Sequence, residues 1–467
     1  MLVFLSPGTE KTDRLGTGFS PGATWVAAME VEALRPGESL LFDPDRNAFP
    51  KPFSQAAKGS YRVMALLDLD HSYAYNGPGE GDFTSEVTVI NDLDPANAAP
   101  ISLTLTRRTP ARMKIADTDN IKLVEFESPS LTAFWGRPIL MHAGVVLPAS
   151  YLSDSSKRFP AVYHIHGFGG THAGAWRAGD ALVQAMKEGK QAEMVHIFLD
   201  ASFSTGHHVF ADSVNNGPWG AALTRELIPH LEQRFRLVPQ TFARFLTGHS
   251  SGGWSTLWLQ VTYPDVFGGT WSTSPDPVDF RSFTGIDATA GSKDNSYRRA
   301  DGSIKNLVRV NGKEIASFEQ FTLQEEVIGD FGGQIASFEW VFSPRGPDGR
   351  PMKLFNRVTG EQNPAVQKAW EKYDIHLVLS RKWPVLGEKL RGKLHLFCGS
   401  VDTFHLEEAF NYLCDFLKSK GREDACEVVP DRDHGNLYKA YKTFPDGLAL
   451  RIDHEMWAAY EEGQRTR

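Results

Sequence analysis

Gly248-His249-Ser250-Ser251-Gly252 sets a hydroxyl between two glycines, at a point where a strand hands over to a helix. A serine on such a turn has its Oγ lifted above a sheet, within reach of a base and of backbone donors. The flanks agree. Residues 242–247 (FARFLT) read as a short apolar strand, and Trp254, Leu257, Trp258 and Val261 recur at i, i+3, i+4 and i+7 on one helix face. Ser250 is therefore the expected nucleophile. It needs a base, and the base needs a carboxylate to fix its tautomer.

In folds that carry such a turn the chain order is serine, acid, histidine. Asp402 follows the apolar stretch 394–398 (LHLFC) and precedes a helical pattern beginning at Leu406. His434 follows the short strand pattern 426–429 (CEVV) in the loop PDRDHGN. These are the expected acid and base. Asp276 and Asp279, past the strand that succeeds the elbow helix, are reserve positions for the acid. Of the other histidines, His454 falls in a terminal helix-like stretch, His376 and His395 in apparent strands, and His207 and His208 in a loop ahead of the acid position.

A developing oxyanion needs at least two preorganised N–H donors. One is the amide after the nucleophile, Ser251. The other is expected from the Gly-rich turn of HIHGFGG at 164–170, with the Phe168 amide first and Gly167 next. His166, Asn216, Trp219 and His249 are expected to line the substrate pocket, although a helix cap with a core tryptophan explains Asn216 and Trp219 equally well. His164-x-His166 also admits a zinc reading, since residues two apart on a strand share a face. No further ligand stands at metallohydrolase spacing, so no metal or other cofactor is expected.

The elements that must position these groups divide by period. Up to about residue 108 the apolar residues alternate: Tyr61, Val63, Ala65, Leu67 and Leu69 fall on one face, and turn-rich stretches such as Asp43-Pro44-Asp45 separate the runs. This predicts an all-β sandwich domain over residues 1–112. After a polar link at about 111–120, apolar strands (137–148, 159–165, 195–199, 244–247, 394–398) alternate with helical stripes. Leu223, Leu227, Leu231 and Phe235 mark one stripe; Leu406, Phe410, Leu413 and Leu417 mark another that stops at Gly421. Several strands are too continuously apolar for a half-exposed sheet, which suits a sheet covered on both faces. An α/β-hydrolase fold is therefore expected over 120–467. Residues 281–390 are too long for a connection and too irregular for a separate core, and read as a cap-like insertion over the catalytic edge.

The 467 residues carry a formal net charge of −8 and show no Lys/Arg block able to track a phosphate backbone, which argues against nucleic acid as a partner. No apolar run approaches the length of a membrane span. Three cysteines, Cys398, Cys414 and Cys426, are an odd and sparse set that does not indicate a disulfide framework. The start MLVFLSPG is apolar too briefly for a leader and reads as a strand; this favours the cytoplasm, while an exported precursor lacking its leader would look the same.

The words HIHGFGG (164–170), NNGPWGAALTRELIPHLEQRF (215–235), LTGHSSGGW (246–254), GGTWSTSPDPVDF (268–280), GSVDTF and DRDHGNLY together resemble the esterase D-like branch of the α/β hydrolases. Its relatives include enterochelin esterase, feruloyl esterases, S-formylglutathione hydrolase and the mycolyltransferases. The resemblance implies Ser250 as nucleophile, Asp402 as acid and His434 as base, and an amino-terminal β-domain is similar to the enterochelin esterase arrangement. A serine esterase acting on a small-molecule or carbohydrate-linked ester is expected. The alternatives are an acyltransferase with the same triad, a serine peptidase and a non-catalytic carbohydrate-binding relic. The amino-terminal domain is open to three uses: a wall beside the active site, a homodimer contact, or a sugar platform of Trp25, Phe42, Phe49, Tyr61, Tyr73 and Tyr75, rings for which core packing is the default.

Overall fold

The structure, a computed structural model, describes residues 1–18, 20–69, 77–110, 115–329 and 331–466. Its centre is an eight-stranded sheet in the order Cys426–Val429, Leu394–Gly399, Gly269–Thr273, Arg244–His249, Ala161–Ile165, Val195–Leu199, Leu140–Val146, Ile121–Glu127. The first six strands are parallel, and the last two run antiparallel to their neighbours. These apolar strands are buried on both faces, as their continuous hydrophobicity requires.

Topology and register choose the site. From Ala161–Ile165 the chain moves outward to Val195–Leu199, then crosses back to Arg244–His249 on the other side. Ligands in open α/β sheets bind where strand order reverses, at the carboxyl ends. Ile165 pairs with both Leu199 and Gly248, His249 with Thr273, and Thr273 with Phe397. The loops after these strands consequently leave the sheet at one level.

The elbow helix, Ser251–Thr262, buries Trp254, Leu257, Trp258 and Val261 as its spacing predicts. The stripe Leu223, Leu227 and Leu231 is fully buried along Trp219–Arg234, a continuous run whose middle turn, Leu223–Leu227, is π-helical. Leu406–Ser419 buries its four stripe leucine and phenylalanine positions, and Gly421 beyond its end takes a φ of 71°. A left-handed residue there lets the next amides turn back onto the last carbonyls, which is why glycine ends the helix. His376, expected in a strand, opens the helix Ile375–Lys389 instead. Its isolated apolar run is too short for periodicity to separate strand from helix.

The amino-terminal region is β-rich, with a short 3-10 turn at Phe53–Gln55, and its described strands bond as one continuous seven-stranded sheet. Gly59–Leu67 is its long axis, pairing Leu2–Pro7 on one side and both Phe83–Ser85 and Thr88–Leu93 on the other. Both faces are buried. Tyr61 and Val63 pack with Leu5, Ala27 and Leu93, while Met64 and Leu66 pack with Phe4, Val26, Phe49 and Val327. The second face is covered by the helix Phe318–Ile328 from the 281–390 segment, whose Leu323 and Ile328 join that cluster. Of the rings weighed as a sugar platform, Trp25, Phe42, Phe49 and Tyr61 pack into these clusters, and Tyr73 and Tyr75 lie outside the described residues.

The 281–390 segment holds a hairpin, Asn306–Val310 with Lys313–Ser317, and the helices Phe318–Ile328, Gln334–Phe342 and Pro364–Trp370, and it continues into Ile375–Lys389. Among the described residues, most of its buried apolar side chains share one core with the elbow helix and Leu406–Ser419. Phe283, Phe338, Phe342 and Trp370 form one aromatic cluster with Trp254 and Trp258 of the elbow helix. Cys414 and Cys426 form a disulfide, which the sparse cysteine count did not lead us to expect. The turn after Leu406–Ser419 brings the start of the final strand back against that helix, so a pair far from any framework still meets. Cys398 is free and buried. Among the described residues, no helix is long and apolar enough to cross a membrane.

Candidate active site

Ser250 has φ 60° and ψ −125°, a conformation that a residue with a Cβ adopts only when its surroundings enforce it. The enforcement is visible. The Ser250 amide donates to the Thr273 carbonyl at 3.0 Å, and the Asp276 amide donates to the Ser250 carbonyl at 3.2 Å. The flanking glycines are steric necessities: a Cβ at Gly252 would stand 2.0 Å from the Ile165 carbonyl oxygen, and one at Gly248 would stand 2.4 Å from that of Gly252. The Gly-x-Ser-x-Gly spacing thus follows from the backbone of the neighbouring strand crossing the turn at contact distance.

The loop 166–170 rises beside the serine. A Cβ on Gly167 would lie 3.3 Å from the Ser250 Cβ and 3.2 Å from the His249 carbonyl oxygen, so glycine lets this backbone approach the hydroxyl without crowding it. His166 braces the loop. The Ala201 amide donates to its Nε2 at 2.9 Å, which leaves Nδ1 to carry the hydrogen and donate to the Gly167 carbonyl at 2.8 Å. His166 therefore shapes the expected oxyanion turn. On the other side, the Ser251 amide opens a helix whose first N–H groups have no intrahelical partner.

Asp402 and His434 meet although 32 residues separate them: His434 Nδ1 and Asp402 Oδ2 are 2.8 Å apart. Asp402 is fully enclosed, and its other oxygen accepts the Phe404 amide at 2.9 Å. Burial alone would raise its pKa, but the adjacent imidazole and that amide hold it below the ordinary carboxylate value. His434 moves oppositely. Burial would depress it, and the Asp402 charge and hydrogen bond bring it above the ordinary imidazole value. Its ring packs on Phe404 at 5.0 Å and on His249, the residue before the serine, at 4.4 Å between centroids. His249 itself is pushed down to about 3 by burial and by His434, so it stays neutral, with Nδ1 on Thr273 Oγ1 at 3.0 Å.

Two expected pocket residues lie elsewhere. Asn216 and Trp219 are in the packed interior: Asn216 Oδ1 accepts from Thr205 Oγ1, and Trp219 stacks on His208 at 3.7 Å. Asn216 does not cap the following helix, whose cap position is Pro218. The core reading of those letters is the one the fold realises. Asp279 is likewise turned away, accepting from Arg281 and pairing with His376. Among the described residues, no cluster of three or more His, Cys, Asp and Glu side chains could hold a metal; His164 instead meets His196 at 2.9 Å inside the sheet.

Two further side chains reach the site: Asp276, which the sequence offered only as a reserve acid, and Arg309, which carries no signal there. The Asp276 carboxyl reaches the elbow, where Ser250 Oγ lies 3.4 Å and Ser251 Oγ 2.5 Å from its two oxygens. Arg309, from the hairpin of the 281–390 segment, holds the acid loop. Its amide donates to the Thr403 carbonyl at 2.9 Å, its Nε to the Asp402 carbonyl at 2.8 Å, and its Nη2 to Glu407 at 2.6 Å.

Residues 139–323 match the family described as "Putative esterase". The match spans the Gly-rich loop, the elbow and Asp276 and ends before Asp402 and His434. No curated protein matches the chain. Among solved structures it is similar to a ferulic acid esterase (14% identity, TM-score 0.44, covering 71% of this chain and 98% of that one). It is also similar to FphF, a fluorophosphonate-binding serine hydrolase of Staphylococcus aureus (15%, TM-score 0.42, 72% and 97%), and to an S-formylglutathione hydrolase from Agrobacterium tumefaciens (14%, TM-score 0.41, 73% and 94%). Over residues 139–323 the chain is thus similar to this esterase family, whose description, with the sheet order above, fits a carboxylic ester hydrolase of the α/β-hydrolase fold.

Proposed function

We propose that the ester is cleaved through an acyl-enzyme on Ser250, with His434 as general base and Asp402 as its orienting acid. The observation that carries this is the Asp402–His434 pair seated against His249, beside a serine held in the elbow conformation. With Nδ1 donating to Asp402, the neutral ring presents Nε2 as a base. His434 takes the Ser250 proton as Oγ attacks the ester carbonyl. The amides of Ser251 and Phe168, with Gly167 lending the close approach, hold the oxyanion. His434 then returns the proton to the departing alcohol, and water, deprotonated by the same imidazole, releases the acid and restores Ser250. Asp402 stabilises the imidazolium in both halves.

The substrate class is a small-molecule or carbohydrate-linked carboxylic ester, with water as the acceptor. The Ser250→Ala variant tests the reading: kcat on p-nitrophenyl esters should fall on the order of 10⁴-fold with the melting temperature unchanged. Unaltered turnover would refute it.

A further inference from the structure

One buried carboxyl at the site has no part in that mechanism, and any role for it rests on Ser250 being the nucleophile and His434 the base. Asp276 is 3% exposed on the turn after Gly269–Thr273. Its amide bonds the Ser250 carbonyl, its Oδ1 faces Ser250 Oγ at 3.4 Å, and its Oδ2 accepts from Ser251 Oγ at 2.5 Å. The charged groups that act on it among the described residues are His434 and Asp402. Those that act on His434 are Asp402, Asp276 and Asp433, with His249 stacked beside it.

We propose that Asp276 is a second carboxylate of the catalytic machinery, a positioning residue that holds the resting Ser250 hydroxyl and, through its charge, favours the protonated form of His434. A carboxyl is costly to enclose without a cationic partner, so an apolar or amide side chain would tie the same turn more cheaply. Among the described residues, the group that acts on it and can become a cation is the base of the reaction. The second serine of the elbow gains a reason as well: its hydroxyl is the stronger of the two bonds that steer the carboxyl toward the nucleophile. Burial pushes Asp276 up to about 6, the hydroxyls and His434 opposing that rise, so it is largely ionised at neutral pH and its charge is present when the base must work.

Ser250 must therefore exchange one acceptor, Asp276, for another, His434, before it reacts. Removing the charge at Asp276 while keeping its shape lowers the proton affinity of His434.

The test is the pH dependence of two rates in the full chain: kcat/KM on p-nitrophenyl acetate, and labelling of Ser250 by a fluorophosphonate. In Asp276→Asn the acid limb of both profiles moves to lower pH by on the order of 0.5 to 1 unit. In Ser251→Ala, which keeps the amide and removes only the hydroxyl that stabilises the ionised carboxyl, the limb moves the same way by less. That variant decides the matter if Asp276→Asn does not fold. Limbs that stay in place while Ser250 is still labelled overturn the inference alone and leave Asp276 as a tie for the elbow. Wild-type protein that is not labelled at Ser250 overturns both the inference and the mechanism beneath it.

Discussion

Replacing Arg309 by alanine asks whether the 281–390 segment merely covers the site or holds part of it in place. The substitution leaves the backbone bond to Thr403 and deletes two side-chain bonds, Nε to the Asp402 carbonyl and Nη2 to Glu407. The side chains of Arg309 and Glu407 are 19% and 13% exposed, so water compensates poorly for the loss. A bond to a neutral carbonyl contributes about 1 kcal/mol and one to a charged group about 1.5–3, which together make about 2.5–4 kcal/mol lost from the loop that carries Asp402. Glu407, whose pKa burial already raises, loses the partner that restrains the rise and takes up a proton more readily. A displacement of about 1 Å at a catalytic group costs on the order of 100-fold. We expect kcat on a p-nitrophenyl ester to fall on the order of 10- to 100-fold with a much smaller change in KM, and the acid limb of the profile to move to lower pH as Asp402 loosens from His434. Arg309→Lys keeps the charge without the two-point grip and should fall between. A variant that melts earlier but turns over within about twofold of wild type would show that Arg309 serves stability only, and that the insertion does not position the acid.

Asp402→Asn should lower kcat on the order of 10⁴-fold by leaving the imidazole in the wrong tautomer. The same pair sets two pH limits. His434 is raised above its ordinary 6.5 and, as the proposed base, must be neutral to act, so the acid limb of kcat/KM should lie above pH 6.5 and shift down in Asp402→Asn. Asp402 is lowered below 3.8, so its contribution to stability is present above that value and lost as pH falls through its folded pKa, which an acid titration of unfolding will read. Gly252→Ala would drive a Cβ into the Ile165 and His166 carbonyls at 2.0 and 2.7 Å; we expect loss of soluble, fluorophosphonate-reactive protein, and full activity in that variant would overturn the steric account of the elbow.

Much of this molecule is legible one residue at a time because the signals are local. The elbow is spelled by glycines that the crossing strand demands, and the stripes at Leu223 and Leu406 come from helical period alone. Chain order pointed to Asp402 and His434 because loops at the carboxyl ends of parallel strands must emerge at one edge, and those two side chains do meet. Period does not say what an inward face meets. Asn216 and Trp219 read equally as pocket or core until the packing against Thr205 and His208 placed them inside. Met64 and Leu66 gave no warning that a helix some 260 residues away would cover them. Asp276 at Ser250 and Arg309 at the Asp402 loop join residues 26 and 93 positions apart by hydrogen bonds that no repeat or spacing betrays; the sequence offered Asp276 only as a reserve acid and Arg309 not at all. Local pattern specifies elements and their ends; which side chains share a site depends on how those elements stack, and that is a property of the folded chain as a whole.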